Sequence, residues 1–456
     1  MATPILRRSP AEETVSTSTL NFLQELLREY HPRNFAVELW DGTCWNAEPG
    51  QFRRFEWKIK RAGAARQVFA ALNQLAFAEA FIYGDFDLDG DLEGVFPLLE
   101  YLLHKNWNDK QKARLNTLLN ALPGGGDLRP VRRGPRLPGR VHSRERDRAA
   151  VEHHYGLSND FYSLWLDKQM VYSCAYFNGQ TENLELAQQQ KLEYVCRKLR
   201  LVAGERFLDI GCGWGALITH AAREYGVNAV GLTLSSQECL GAERRSQQAE
   251  LAGRCQVKLL DYRDLAEPAA YDKIASLEVL EHVGPENLTD YFRRVYQLLR
   301  PGGAFLLQFI ARVHGSLQLL EPELDSAYVL PDAEVLSLHA VCAAAEASGL
   351  VLQDLENLQE HYALTLRHWA RGLEQHAEQS RRLLDEVTYR AWVLHVAGRA
   401  HNFHCGKLSV YQALLIKKSV KDRVPFTRED WYAKREVAAV VKEPEVKPQE
   451  DVGWTP

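Results

Sequence analysis

The run from Phe207 to Gly215, Phe-Leu-Asp-Ile-Gly-Cys-Gly-Trp-Gly, holds the residue types and spacing that most directly suggest chemistry. A short apolar strand carrying Asp209 breaks into a turn with Gly211, Gly213 and Gly215, and a helical pattern opens at Ala216. Glycine has no Cβ, so the backbone can approach a ligand closely. Nucleotide-type cofactors bind at the carboxyl end of such a strand. A dinucleotide site would add a carboxylate roughly 20 residues on, to hold a ribose. Here the second strand, Asn228 to Leu232, ends in Thr233-Leu234-Ser235, and the missing acid weakens a nicotinamide reading.

The elements that must position this turn form an alternating series. Val257-Lys258-Leu259-Leu260 leads to Asp261-Tyr262, and Lys273 to Leu277 leads on to Glu281-His282. Ala304 to Leu307 follows the turn Pro301-Gly302-Gly303. Each apolar run ends in polar residues on one side, where a parallel sheet places its ligand. The expected fold is therefore α/β and doubly wound.

Five segments in order closely resemble the cyclopropane-fatty-acid synthases, which are S-adenosylmethionine-dependent methyltransferases acting on lipid alkenes. They are Tyr172-Ser173-Cys174-Ala175-Tyr176-Phe177, Leu208 to Gly215, Gly231-Leu232-Thr233-Leu234-Ser235, Asp261-Tyr262-Arg263-Asp264-Leu265 and Glu281-His282-Val283-Gly284. The likeness runs from His153 to Tyr411. A weaker one over residues 20–120, including Ala80 to Phe86 and Asp87 to Leu92, is to the N-terminal domain of longer bacterial members. The resemblance implies a Rossmann-like class I methyltransferase domain at 149–435, with helices around 334–402 covering an acceptor channel. It also implies a smaller N-terminal α+β lipid-associating domain at 20–122.

By that resemblance, Gly211 and Gly213 line the methionine and ribose of S-adenosylmethionine, and Asp209 and Gly215 belong to the same cofactor-binding turn. Trp214 reads equally as a cofactor contact or a packing residue. Thr233 and Leu234 take the place of the acidic ribose clamp. Glu238 lies beside the ribose, although Ser235-Ser236-Gln237-Glu238 also has the form of a helix capping box. Asp261 would accept from the adenine amino group, with Tyr262 stacked beside the ring, and Tyr172 and Ser173 would contact the methionine end. For catalysis, the family's bound bicarbonate base maps onto a cradle of Cys174, Glu281, Gln308 and Tyr362, with Cys174 serving as a weak donor or backbone contact.

Two departures bear on that chemistry. Where the family has Leu-His-Thr-Ile, this chain reads Leu307-Gln308-Phe309-Ile310. Gln donates a hydrogen bond as His does but carries no proton. The family's late Cys-Ala-x-x-Phe appears as Arg399-Ala400-His401-Asn402-Phe403, and Cys405 is no substitute for the lost thiol. His153-His154-Tyr155-Gly156 resembles the family's entry helix, with Gly156 replacing Asp; His154 reads as structural or as closing over the cofactor.

Composition sets outer bounds. At 456 residues, with 46% hydrophobic and 25% charged residues, the chain has a globular composition and room for two domains. No apolar run approaches the roughly 18–20 residues of a membrane span, and the N-terminus lacks a signal-peptide core. The eight cysteines, at 44, 174, 196, 212, 239, 255, 342 and 405, show no CxxC spacing, so neither zinc nor a disulfide framework is expected. His401 and His404 fit no metal motif. Phosphate-loop lysine and Gly-x-Ser-x-Gly patterns are missing, which argues against kinases and hydrolases.

Residues 1–19, rich in Ser and Thr, and the tail 436–456 read as disordered. Val68, Phe69, Leu72, Leu75, Ala76 and Phe81 form a helical stripe that reads as core before membrane face. Asp87 to Leu92 alternates acids but lacks the distal Glu of a calcium loop. The segment 123–148 carries Arg129, Arg132, Arg133, Arg136, Arg140, Arg144, Arg146 and Arg148 among Pro and Gly. It reads either as a solvated linker or as a patch for anionic phospholipid, each cation contributing about 1 kcal/mol near the surface. It has no stacking aromatics, which argues against nucleic acid.

The expectation is thus a cytoplasmic enzyme, peripheral on the inner membrane face, that closes a cyclopropane ring across the cis double bond of a phospholipid acyl chain. A methylene or methyl branch from the same cation is the alternative, and an inactive lipid-binding relative a distant one. Acyl length, double-bond position, head group and oligomeric state stay open, a homodimer among the options.

Overall fold

Ser16, Thr19, Phe22, Leu23 and Leu26 recur at helical spacing and are buried along one face of α1 (Pro10–Leu26). A computed structural model describes residues 10–71, 73–124, 135–179, 183–313, 324–419, 425 and 427–432. The expectation of disorder over 1–19 is corrected from Pro10 onward. Ser18 and Thr19 hydroxyls donate to the carbonyls of Thr14 and Val15 at 2.9 and 3.0 Å, so a Ser/Thr-rich stretch is accommodated inside a helix. Residues 1–9 lie outside the described residues.

β1 (Phe35–Glu38), β2 (Cys44–Trp45) and β3 (Phe55–Ile59) are followed by α2 (Ala64–Ala71), α3 (Gln74–Ile82) and β4 (Phe86–Gly90). The strands form a small sheet in the order β2-β1-β3-β4. The expected single stripe is two helices, because the Asn73 side chain accepts from Ala76 N and caps α3. Its apolar face is core: Phe69 packs on Phe22 and Trp57, and Phe77 packs on Trp57 and Phe86. Leu72 lies outside the described residues. The acidic alternation is a half-buried strand, with Phe86 and Leu88 inward. Asp87 pairs with Lys60 and Arg390, and Asp89 with Lys58, on the other side.

After α4 (Phe96–His104) and α5 (Asp109–Ala121) the chain enters the basic segment. Its second half is folded rather than a linker. Ser143 caps α6 (Arg144–Tyr155), and Arg140, Arg144 and Arg146 pair with Glu286, Asp264 and Asp332. Arg136 and Arg148 are exposed, while Arg129, Arg132 and Arg133 lie outside the described residues.

α7 (Asn159–Ser163) and α8 (Leu184–Leu199) lead to β5 (Arg206–Ile210), α9 (Ala216–Tyr225), β6 (Asn228–Thr233), α10 (Ser236–Gln248) and β7 (Cys255–Leu259). Then come β8 (Tyr271–Leu277), α11 (Leu288–Leu298), β9 (Leu299–Arg312), β10 (Leu336–Ser337), α12 (Leu338–Ala347) and β11 (Leu350–Asn357). α13 (Gln359–Gln375), α14 (Ala377–Leu383), α15 (Glu386–His404) and β12 (Leu408–Lys417) follow. The large sheet runs β11-β12-β9-β8-β5-β6-β7, with β10 beside β9. β9, β8, β5, β6 and β7 are parallel, whereas β12 is antiparallel to both β9 and β11. The chain winds outward from β5 to β7, then crosses to β8. That reversal beside β5 opens a crevice at the carboxyl ends of the strands.

The N-terminal sheet is not an independent body. One compact unit reaches to Asp422, and one apolar cluster runs from Trp57 and Phe96 to Trp392 and Phe403. Polar ties reinforce it. Arg390 donates to the carbonyls of Phe81 and Phe86 at 2.7 and 2.8 Å, and Arg367 grips Glu93 with two bonds. The apolar cluster spans both sides of the expected boundary at 122, and the one at 435 lies outside the described residues. The helix Glu429–Tyr432 belongs to a second unit. Residues 436–456 lie outside the described residues.

Candidate active site

The glycine turn shapes a cavity at the ends of β5, β6 and β8. Tyr172, Ser173, Asp209, Gly211, Gly213, Trp214, Thr233, Leu234, Glu238, Asp261 and Tyr262 all line it. Gly215 sits just behind, as the left-handed N-cap of α9. At Gly211, with φ at 78°, an added Cβ would come 2.2 Å from Val279 Cγ2. Gly213, φ at 51°, has open space instead, with only Glu238 Oε1 within reach, at 3.9 Å.

The cavity carries buried acids. Asp209 Oδ1 has no protein partner, and burial pushes its carboxyl up to about 7, opposed by Lys191. Burial also pushes Glu238 up to about 7, with the Thr233 hydroxyl, bonded at 2.6 Å, holding it down. The capping-box reading is half made: Ser235 Oγ accepts from Glu238 N, but the Glu238 carboxylate turns to Thr233. An orphaned acid and an uncapped glycine face fit a ligand with an ammonium, hydroxyls and a nucleoside, as S-adenosylmethionine has. Trp214 serves both of its readings, since it lines the cavity while its indole N–H donates to Asn159 Oδ1 at 2.7 Å. Asp261 is held by Arg263, whose guanidinium reaches its two carboxylate oxygens at 2.9 and 2.6 Å.

The four residues expected around bicarbonate make separate hydrogen-bonded arrangements. Three of them converge on a carboxylate of the chain itself. Glu278 Oε1 accepts from Cys174 N at 2.8 Å and Gln308 Nε2 at 2.6 Å, and Oε2 accepts from the Tyr362 hydroxyl at 2.5 Å. Glu278 occupies the position where those donors meet. The fourth, Glu281, turns away, accepting from Ile310 N at 2.6 Å while its Oε2 is buried without a partner. Burial and the neighbouring Glu278 push Glu281 up to about 7. The Cys174 thiol is buried, points at the carbonyls of Ala175 and Leu358, and is held well above its ordinary pKa by burial.

Glu278 is the residue that the sequence reading missed. It is the first polar residue after β8 and lines the glycine-turn cavity. Its backbone lies in the left-handed region, with φ at 56°, and residues so held store about 1–3 kcal/mol of strain, concentrated at functional sites. Lys191, also missed, lines the same cavity, and its buried ammonium donates to Ser173 Oγ at 2.7 Å. Helices α13 and α15 bring Trp369 and Trp392 against Tyr172, which lines the cavity. Tyr172 packs 5.0 Å from Trp369 and 5.3 Å from Trp165, and His154 stacks on Trp392. The buried His154 ring bonds to the Val329 carbonyl, consistent with its structural reading. Away from the site, Glu100, His401 and Cys405 cluster, but the Lys407 ammonium already sits on Glu100.

A parallel sheet with a glycine-turn cavity at its reversal and an antiparallel β12 at one side defines a class I S-adenosylmethionine-dependent methyltransferase. Residues 142–413 match the family model described as mycolic acid cyclopropane synthetase, and the chain belongs to that family. It is 34% identical over 402 residues to the "Probable fatty acid methyltransferase" of Pseudomonas putida, covering 87% of this chain and 95% of that one. It is 38% identical over 229 residues to the cyclopropane-fatty-acyl-phospholipid synthase of Escherichia coli K12, covering 50% of this chain and 57% of the relative. The solved mycolic acid cyclopropane synthase CmaA1, complexed with SAH and CTAB, aligns with a TM-score of 0.57 at 32% identity, over 59% of this chain and 98% of that structure.

Proposed function

We propose that this methyltransferase methylates the cis double bond of an unsaturated acyl chain carried by a phospholipid, closing a cyclopropane ring. The observation that carries the reading is the junction at Glu278, where the glycine-turn cavity meets a buried polar cluster beside the aromatic rings of Tyr172, Tyr362 and Trp369. When bound, S-adenosylmethionine supplies an electrophilic methyl group. Asp209 and Glu238 hold its ammonium and ribose, Gly213 lets its chain approach the turn, and Asp261 and Tyr262 take the adenine. An alkene is a weak nucleophile, so the site works largely by positioning. Tyr172, braced by Trp165 and Trp369, presents a ring face that tolerates developing positive charge.

The names of the relatives support a fatty acyl acceptor, and that of the Escherichia coli protein supports a phospholipid. Among the described residues no helix is long and apolar enough to cross a membrane. A phospholipid acceptor places the enzyme peripherally on a membrane, for which we favour the cytoplasmic face, with exposed Arg136 and Arg148 toward anionic headgroups. A methylene branch is the second reading, favoured by Gln308 bonding to Glu278 where the family resemblance led to a histidine. Mass spectrometry of lipids from a host expressing the protein tests both readings, since a ring and a branch fragment differently. Unchanged lipids with bound cofactor would refute both.

A further inference from the structure

The cluster behind the cofactor cavity is an anion site whose anion is built into the chain. Gln412 Nε2 donates to Gln308 Oε1 at 2.8 Å, and Lys198 in turn donates to Gln412 Oε1 at 3.1 Å. This relay fixes the amide of Gln308 so that its NH₂ faces Glu278. The backbone N–H of Cys174 can only donate. Tyr362 keeps its proton, because burial and the adjacent carboxylate raise its pKa well above the ordinary phenol value. Three donors thus meet two carboxylate oxygens, an arrangement that suits the ionised form.

We propose that the Glu278 carboxylate is the base that removes the proton from the methylated acyl chain. The inference rests on the reading of an alkene acceptor given above. In the step, the alkene π pair forms a bond to the methyl carbon, the carbon–sulfur pair stays on sulfur, and a positive charge appears on the neighbouring chain carbon. Glu278 then takes a proton from the delivered methyl group. The freed C–H pair either joins that carbon to the cation, closing the ring, or, after a 1,2-hydride shift has moved the cation to the methyl-bearing carbon, forms the double bond of a methylene branch. Both products release one proton to the same oxygen, and it passes to water before the next turnover. The geometry favours this role over a structural one. The residue lines the cofactor cavity, and its left-handed backbone turns a strand-end side chain toward the three donors. Burial raises its pKa, opposed by the three hydrogen bonds and by Lys191, which makes it a stronger base than a solvated glutamate.

The test uses the full chain, S-adenosylmethionine and vesicles of a cis-monounsaturated phospholipid, with cofactor affinity measured beside product formation. Wild type should turn over in carbonate-free buffer, and added bicarbonate should not accelerate it. Glu278→Gln should lose roughly 10²–10⁴-fold in turnover with nearly unchanged cofactor affinity. Glu278→Ala empties the cradle but keeps its donors, so formate, acetate or bicarbonate should restore turnover there and not in Glu278→Gln. A Glu278→Gln enzyme as active as wild type, or a wild type that requires bicarbonate, would overturn the proposal. A wild type that binds cofactor yet methylates no unsaturated lipid would instead refute the reading of the acceptor, and the base proposal would fall with it.

Discussion

Tyr362→Phe isolates one bond of the Glu278 cradle while leaving the packing intact. The ring, 4.6 Å from Phe403, is retained, and only the hydroxyl bonded to Glu278 Oε2 at 2.5 Å is lost. A hydrogen bond to a charged group contributes about 1.5–3 kcal/mol, and one pKa unit corresponds to about 1.4 kcal/mol. Removing a donor that favours the carboxylate should therefore raise the pKa of Glu278 by about 1–2 units. The groups acting on it are Lys191, Tyr362, Cys174, Gln308, Glu281, Tyr172 and Tyr155, and of these only Tyr362 changes. The base works ionised, so turnover falls as pH drops through its pKa. In the variant that acid limb should move upward by about 1–2 pH units, with activity recovering on the alkaline side. Turnover at saturating cofactor, followed across pH by product analysis, reads this directly. An acid limb in the same place, with a uniform loss at all pH, would refute the role given to the hydroxyl.

Gly213→Val should abolish cofactor binding in a folded protein, since a β-branched side chain resists a φ of 51° and fills the open side of the turn; calorimetry with unchanged affinity would remove that turn from the site. Arg390→Ala should cost about 1.5–3 kcal/mol in urea unfolding, because it cuts the ties to Phe81, Phe86 and Asp87, and a wild-type midpoint would count against them. Asp209, Glu238 and Glu281 each stand raised to about 7 in the fold, from ordinary values of 3.8, 4.5 and 4.5. Between those limits the folded state holds more protons than the unfolded, so their contribution is full at low pH and is lost as pH rises through about 7. The ligand-free protein should melt lower at about pH 8 than at about pH 6, and Asp209→Asn should flatten that slope; a midpoint rising across this window would contradict the burial argument.

The central strands and the glycine turn were legible because strands buried on both faces leave continuous apolar runs, and left-handed turns draw glycine. β11 and β12 were hidden: in β11, at a sheet edge, only Leu350 is buried, and the acids Asp354 and Glu356 are half-buried while Leu355 is exposed, beside sequence that reads as helix. α1 was obscured by hydroxyl-rich composition, although its buried stripe at 16, 19, 22, 23 and 26 is helical. The arginine run looked solvated because its partners Glu286, Asp264 and Asp332 lie far along the chain. Glu278 was the costliest omission. The sequence reading ended β8 at Leu277 and passed to Glu281, and no glycine marks the left-handed residue between. The rule that strand-end polar residues face the ligand pointed to it all the same.

The most direct test of the central claim is mass spectrometry of cis-monounsaturated phospholipid vesicles incubated with the purified protein and S-adenosylmethionine. The acyl chains should gain one CH₂ unit, with the double bond lost to a ring or, in the second reading, moved to a methylene branch. Acyl chains of unchanged mass, from protein that binds the cofactor, would contradict the account.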